Sequence, residues 1–307
     1  MQHIFPDYYK DFKCIASRCK YNCCIGWEID IDDDTAAFYK TVGGDIGKRL
    51  CENIANEGTE HFILGENERC PFLNKNNLCD IIIELGEEHI CTICQKHPRF
   101  ENELPGRVET GLGMACEEAA RLILSKKTPT RLIGGGESDD EIINLRDEII
   151  VALQNRCDDI DTRVCRMLDM CNTSLPQKNW VEILLGLERL DEKWTEWLVS
   201  LRDAKSIDFK GFDRYMADRQ TEYEQLLVYL IYRYFANASN MYDAAARAAF
   251  AALGYKIIRA LGALHFASEG EFTMADQVEL CRLHRWHKAA VLFQSFWCKN
   301  HWPGAVE

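Results

Sequence analysis

The chain falls into two stretches by its pattern of apolar and polar positions. Over roughly the first 130 residues, Cys, Gly, Pro and Asn interrupt short apolar runs such as Ile81-Ile82-Ile83, and no segment sustains a long helical period. This half reads as loop-rich, with short helices, and held together by its ligands. One helix is predicted from Glu117 to Ser125, where Ala119, Leu122 and Ile123 recur at i, i+3 and i+4. The pattern changes at Gly134-Gly135-Gly136, because three glycines cost too much backbone entropy to lie inside an element. Ser138 followed by Glu141 has the spacing of a capping box that opens the next helix.

From Glu141 onward helical periodicity dominates. Tyr223, Leu226, Leu227, Leu230, Ile231 and Tyr234 share one helical face. The segments Trp180 to Ser200 and Ala244 to Leu253 behave alike, and Thr273 with Asp276 marks a further start, before a last helix through Trp286 and Phe293. The predicted fold is mainly α: a loop-rich, cysteine-rich metal-binding module over 1–133, then a helical bundle domain over 134–307. No fixed-period repeat and no low-complexity tract interrupts it.

Composition narrows the setting. Of 307 residues, 47% are hydrophobic and 28% charged, an ordinary globular balance, and the net charge is −13. An acidic chain without basic clusters is a poor binder of nucleic acid or anionic membrane. The longest apolar stretch, Leu226 to Tyr232, ends at Arg233, far short of the ~20 residues of a membrane span. Met1-Gln2-His3-Ile4-Phe5-Pro6-Asp7 has neither the basic nor the apolar region of a secretory signal, so the expected compartment is the cytoplasm.

Cysteine changes the picture most. Ten of the 15 cysteines (Cys14, Cys19, Cys23, Cys24, Cys51, Cys70, Cys79, Cys91, Cys94 and Cys116) fall within the first 116 residues. In a reducing compartment such density points to metal before disulfides. The first group is Cys14-x4-Cys19-x3-Cys23-Cys24, running into Ile25-Gly26-Trp27. The second is Cys70-Pro71-Phe72-Leu73, Cys79 and Cys91-x2-Cys94 with His97-Pro98-Arg99, and Cys116 follows. A Cys-x2-Cys turn presents two thiolates to one centre, and soft thiolates select zinc or iron–sulfur clusters. Eight or nine thiolates exceed the four that one zinc ion uses, although a closed zinc site serving folding alone stays open. The two groups are joined if Cys19 or Cys23 meets Cys91 and Cys94 at one centre.

Cys51, Cys157, Cys165, Cys171, Cys281 and Cys298 are read instead as small buried hydrophobes in helical patterns. His61 and His97 are read as turn residues before ligands, His284 and His287 as solvent-facing, and Trp27 and Phe72 as walls of a pocket or core. Gly43-Gly44-x2-Gly47 and Gly111-x-Gly113 lack the strand–turn–helix setting of a Rossmann nucleotide fold. The Cys-x3-Cys-x2-Cys triad of radical enzymes fails too, because Cys19 and Cys23 are followed by Gly26 in the third position. There is no P-loop and no nucleophile elbow.

The motifs taken together resemble the flagellin lysine-N-methylase family, within a wider group that has a cysteine-rich, zinc- or iron-chelating domain. The likeness is carried by Phe12-x-Cys14-Ile15-x3-Cys19-x3-Cys23-Cys24-x-Gly26-Trp27-x-Ile29-x-Ile31-Asp32, by Cys70-Pro71-Phe72-Leu73, Leu78-Cys79-x-Ile81 and Gly86-Glu87-Glu88, and by Cys91-x2-Cys94, His97-Pro98-Arg99 and Cys116-x-Glu118-Ala119-Ala120-Arg121-Leu122. The resemblance implies a cytoplasmic enzyme that methylates lysines of flagellin, with S-adenosylmethionine as donor and an iron–sulfur cluster, 4Fe–4S by expectation and zinc as the alternative. It also implies metal ligation by Cys14, Cys19, Cys23, Cys24, Cys70, Cys79, Cys91, Cys94 and Cys116.

A lysine amine, with an ordinary pKa of about 10.4, must lose its proton before it accepts a methyl group. The catalytic base and the donor pocket are unassigned, and Glu28, Asp30, Asp32, Glu87 and Glu88 read as surface charges or caps. The competing reading is a zinc-stabilised protein-binding module without catalysis. An electron carrier would not need so large a helical half.

Overall fold

In a computed structural model of the chain, residues 1–55, 58–136, 138–175, 179–186 and 192–283 are described. Along the chain run β1 (Gln2–Pro6), α1 (Asp33–Tyr39), α2 (Gly44–Glu52), β2 (Ile54–Ala55), β3 (His61–Phe62), α3 (Asp80–Leu85), α4 (Thr92–Lys96), β4 (Arg99–Leu104), β5 (Arg107–Leu112), α5 (Glu117–Leu124) and β6 (Leu132–Ile133). Then come α6 (Glu141–Leu153), α7 (Ile160–Met170), α8 (Trp180–Leu185), α9 (Glu192–Asp203), α10 (Phe209–Tyr215), α11 (Gln220–Tyr234), α12 (Met241–Glu269) and α13 (Met274–Leu283). The fold is mainly α, as predicted.

Two compact units form, and they do not follow the chain linearly. The smaller takes residues 13–100 and 116–118; the larger takes 1–12, 101–115 and 119 onward. The boundary expected at 133/134 lies inside the larger unit, between β6 and α6.

The larger unit contains a four-stranded sheet, in the order β4-β5-β1-β6, that the pattern of the first 130 residues does not announce. β1 pairs in parallel with β5, Gln2 opposite Arg107 and Ile4 opposite Glu109, and antiparallel with β6. Its helices centre on α11, which packs on α6, α7 and α12. The sequence predicts one apolar face for α11; instead every residue from Glu222 to Tyr232 is buried, Glu222, Glu224 and Gln225 included. Helices on several sides leave α11 no polar face, so its charges must be paired. The Glu224 carboxylate accepts hydrogen bonds from Arg156 Nη2 at 2.8 Å and from Arg163 Nη1 at 2.8 Å.

The alanine-rich segment extends into the 29-residue α12, opened by Asn240, whose side chain accepts from the Asp243 N–H. It is closed by Gly270 at φ +78°, the left-handed conformation that glycine adopts without a Cβ clash. The Thr273–Asp276 start is present, with Thr273 N and Oγ1 both donating to Asp276 Oδ2 at 2.7 Å. The cap of α6 is Asp140, which accepts from Ile142 N and Ile143 N; Ser138 Oγ takes the Asp140 N–H one step earlier. Trp180 to Ser200 is divided between α8 and α9. The expected helix through Trp286 and Phe293 lies outside the described residues, as do His284, His287 and Cys298.

No described helix is long and apolar enough to cross a membrane.

Candidate metal centre in the cysteine-rich unit

The smaller unit has a hydrophobic core, and five of its cysteines belong to it. Ile29, Ile31, Tyr39, Leu50, Phe62, Phe72, Leu73, Ile81 and Ile90 are buried together with Cys70 and Cys91, and Cys24, Cys79 and Cys94 pack against them. Three arms bring the thiols in. The Cys23-Cys24 turn is tied to the Cys70 arm by the Cys70 N–H donating to Cys24 O at 2.8 Å and by the Ile25–Arg69 bridge. Cys79 joins Cys70 through the Leu73–Cys79 bridge and the Asp80 N–H, which donates to Phe72 O at 2.8 Å. Arg49, from α2, braces this loop by donating to Pro71 O and to Asp80 Oδ2.

Cys91 and Cys94 come from the start of α4, and Asp32 holds that start in place. One carboxylate oxygen of Asp32 accepts from Thr35 N and Oγ1, capping α1, and the other accepts from Thr92 N at 2.8 Å, capping α4. Burial works against the Asp32 charge, but the bonds from Thr92 and Thr35 outweigh it and lower its pKa from 3.8 to about 2. Asp32 thus is a cap, as the sequence suggests. Since the folded pKa is depressed, the stability Asp32 contributes is present above pH 3.8 and is lost as pH falls toward 2. Asp32→Ala is expected to cost about 1–3 kcal/mol, two caps' worth, when unfolding by denaturant is followed at neutral pH, and to cost little near pH 2. An equal loss at both pH values would show that the carboxylate charge is not what matters.

Six of the thiols act on one another's acidity. Cys24 is pushed well up by its bond to Cys23, by burial, and by nearby Cys23, Cys70 and Cys94. Cys94 is pushed well up by its bond to Cys91, by burial, and by Cys91, Cys70 and Cys23. Burial, with Cys79 and Cys91 nearby, raises Cys70 to about 11, and burial with Asp80 and Cys91 raises Cys79. Two thiols move the other way: the Cys24 bond lowers Cys23 to about 7, and the Cys94 bond, with Tyr39, lowers Cys91. Tyr39 Oη lies 3.8 Å from Cys91 Sγ and donates to His89 O at 2.8 Å.

The other three predicted ligands stand elsewhere in the unit. Cys19 donates to Tyr21 O and to Glu117 Oε2 at 3.5 Å, and burial, Glu117 and Cys116 raise its thiol to about 12. The same Glu117 oxygen accepts from Lys20 N and Tyr21 N. Cys14 is exposed, and its sulfur accepts the Ala16 N–H. Of the two crossing points the sequence offers, Cys23 is the one beside Cys94. Among the described residues no three His, Cys, Asp or Glu side chains are set as a single-ion site.

Of the cysteines read as buried hydrophobes, Cys171 and Cys281 are buried, whereas Cys51, Cys157 and Cys165 are exposed because they fall on outer helix faces or in a turn. Phe72 is fully buried, and Trp27 packs against His97. The His97 N–H donates to Ile93 O, as a turn residue's would, and burial keeps its ring below the ordinary 6.5. What the sequence does not reveal is Tyr39, far along the chain from the Cys91 sulfur that it faces; its only sequence signal is an aromatic late in α1.

Comparisons with known proteins bear on both ends of this picture. Residues 177–285 match the family described as the FliB lysine N-methylase C-terminal domain. Lysine-N-methylases of Salmonella choleraesuis (strain SC-B67) and Salmonella typhimurium (strain LT2) are each 28% identical over 128 residues, which is 39% of this chain and 32% of theirs. The flagellar biosynthetic protein FliU of Salmonella muenchen is 28% identical over the same length, 75% of its own. The match therefore spans about a third of the first two relatives. No solved structure matches the chain. Over this part of its length the chain is thus similar to the FliB lysine N-methylases, in keeping with the family that its cysteine motifs resemble.

Proposed function

We propose that the chain is a protein lysine N-methyltransferase, acting in the cytoplasm on flagellin, with S-adenosylmethionine as methyl donor and an iron–sulfur cluster of the 4Fe–4S type assisting. The observation that carries this reading is the gathering of Cys24, Cys70, Cys79, Cys91 and Cys94 at one core, with Cys23 beside them, in a chain whose 177–285 segment matches a lysine N-methylase domain. The donor set fits the group in its chemistry: these are soft thiols, Cys70 and Cys91 buried and Cys24, Cys79 and Cys94 half-buried, and thiolates are the ligands of iron–sulfur iron. Four of those six would hold a 4Fe–4S cluster, and Cys14, Cys19 and Cys116 complete the nine candidate ligands. When bound, the cluster supplies a redox-active centre whose potential is set by its ligands, burial and hydrogen bonds.

The protein's own residues do the rest. Asp32 fixes the start of α4 and hence the Cys91 and Cys94 positions, and Tyr39 aims its hydroxyl toward Cys91 while held by His89 O. Burial keeps several of the thiols protonated in the absence of metal, so loading releases protons and tightens as pH rises. In the transfer the lysine amine first gives up a proton. Its nitrogen then forms the N–C bond while the S–C bond of the donor breaks, and that electron pair stays on sulfur. On this reading the enzyme is neither Rossmann-type nor radical-type, in keeping with a sheet whose β1 pairs parallel on one side and antiparallel on the other.

The placement of Cys70 and Cys91 inside a hydrophobic core also suits zinc that serves folding alone, in a protein-binding module. Anaerobic preparation separates the two. The transferase is expected to be brown, to contain iron and sulfide, and to add increments of about 14 daltons to flagellin lysines. A colourless, zinc-loaded protein that leaves flagellin unchanged would establish the binding module instead.

A further inference from the structure

Beside the thiol core the smaller unit carries an aromatic pair with an acidic rim. Gly26 sits at φ +87°, its N–H donating to Glu68 O at 3.1 Å, and this left-handed turn carries the chain into Trp27. A Cβ on Gly26 would lie 3.7 Å from Glu68 Oε2, so that carboxylate stands beside the turn. Trp27 Nε1 donates to Cys23 O, which fixes the indole, and its ring lies 5.8 Å from that of His97 at 45°. His97 Nε2 is enclosed and has no hydrogen-bond partner among the described residues. Glu28, the next residue after Trp27, is exposed, its Oε1 3.3 Å from His61 Nε2.

The half-buried indole offers an apolar face to a (CH2)4 stem, and two carboxylates belong to the same turn, Glu68 beside Gly26 and exposed Glu28 next after Trp27. Both rings ride on the segments that bear Cys23 and Cys94.

The geometry points to Trp27, backed by His97, as the docking platform for the acceptor lysine: the stem lies on the indole, and Glu68 and Glu28 attract the ammonium. This rests on the lysine-methyltransferase reading and adds the place where the side chain lies. An acidic chain of net charge −13 complements such a cationic ligand.

The test uses the full chain. Binding of a synthetic peptide with one lysine, and of its arginine and norleucine counterparts, is measured by calorimetry without methyl donor, and KM and kcat are measured with flagellin. Trp27→Ala is expected to raise both Kd for the lysine peptide and KM by about tenfold or more, kcat falling less, and Trp27→Phe to raise them only severalfold. Glu68→Gln should weaken binding severalfold at low salt and little at high salt. Should Trp27→Ala fail to fold, Trp27→Phe and Glu68→Gln decide. Unchanged Kd and KM in these variants, or equal binding of the norleucine peptide, overturns the platform. If flagellin is methylated and KM is indifferent to Trp27, the platform fails and the transferase stands. If the lysine peptide binds through Trp27 and flagellin gains no mass, the transferase reading fails and the lysine site stands.

Discussion

Replacing Cys91 and Cys94 together by serine is expected to strip the metal from anaerobically prepared protein and to abolish lysine methylation. A serine hydroxyl is a hard, weakly acidic donor and a poor substitute for thiolate on iron or zinc. Cys91 is fully buried, its sulfur facing the Tyr39 hydroxyl, and Cys94 lies near Cys91, Cys70 and Cys23, so this pair joins the arms of the core. The metal's binding energy is also folding energy for a unit with short helices, so the variant should lose protease resistance in that unit as well. Serines at exposed Cys157 and Cys165 provide the control and should alter neither metal content nor activity. Iron and zinc analysis, visible absorbance and intact-protein mass spectrometry measure the three outcomes. A doubly substituted protein that is folded, metal-free and methylates at the parent rate would remove the cluster from catalysis.

The sequence makes visible those features that neighbouring residues decide. α5 and α13 follow from local periodicity and a Thr–Asp cap, and the gathering of thiols follows from a Cys-x2-Cys turn and closely spaced partners. The sheet is different in kind. β1 has five residues and β6 two, too few for a period to register, and β1 pairs with β5 across more than a hundred residues of chain. The same non-locality separates Cys19 from Cys23. Spacing alone makes either a partner for Cys91 and Cys94, and what takes Cys19 elsewhere is Glu117, which arrives 98 residues later with α5. α11 shows a third limit: its apolar face is legible, but its burial on all sides depends on helices that the pattern of one segment cannot count.

The buried charges of the larger unit lie beyond such reading, and they carry the largest expected effect on stability. Arg146 of α6 and Glu109 of β5 are both completely buried, joined by two parallel bonds of 2.7 Å. Arg107 Nη1 adds a bond of 3.3 Å to Glu109, Arg146 Nε donates to Asp147 at 2.6 Å, and the guanidinium lies 5.3 Å from the Tyr232 ring. Tyr232 in turn donates to Thr110 O and Ile4 O, so the network links α6 and α11 to β5 and β1. Removing one partner strands the other charge away from water, whereas removing both with apolar residues of like volume does not. Arg146→Met is therefore expected to destabilise the protein by about 3–5 kcal/mol, toward the lower figure because Arg107 stays beside Glu109. Glu109→Leu should cost as much or more, since it strands two arginines, and the Glu109→Leu/Arg146→Met double variant should recover a large part of either loss. Denaturant unfolding followed by circular dichroism at neutral pH gives all three values. Strictly additive losses in the double variant would mean that the bidentate pair is not what joins α6 to the sheet.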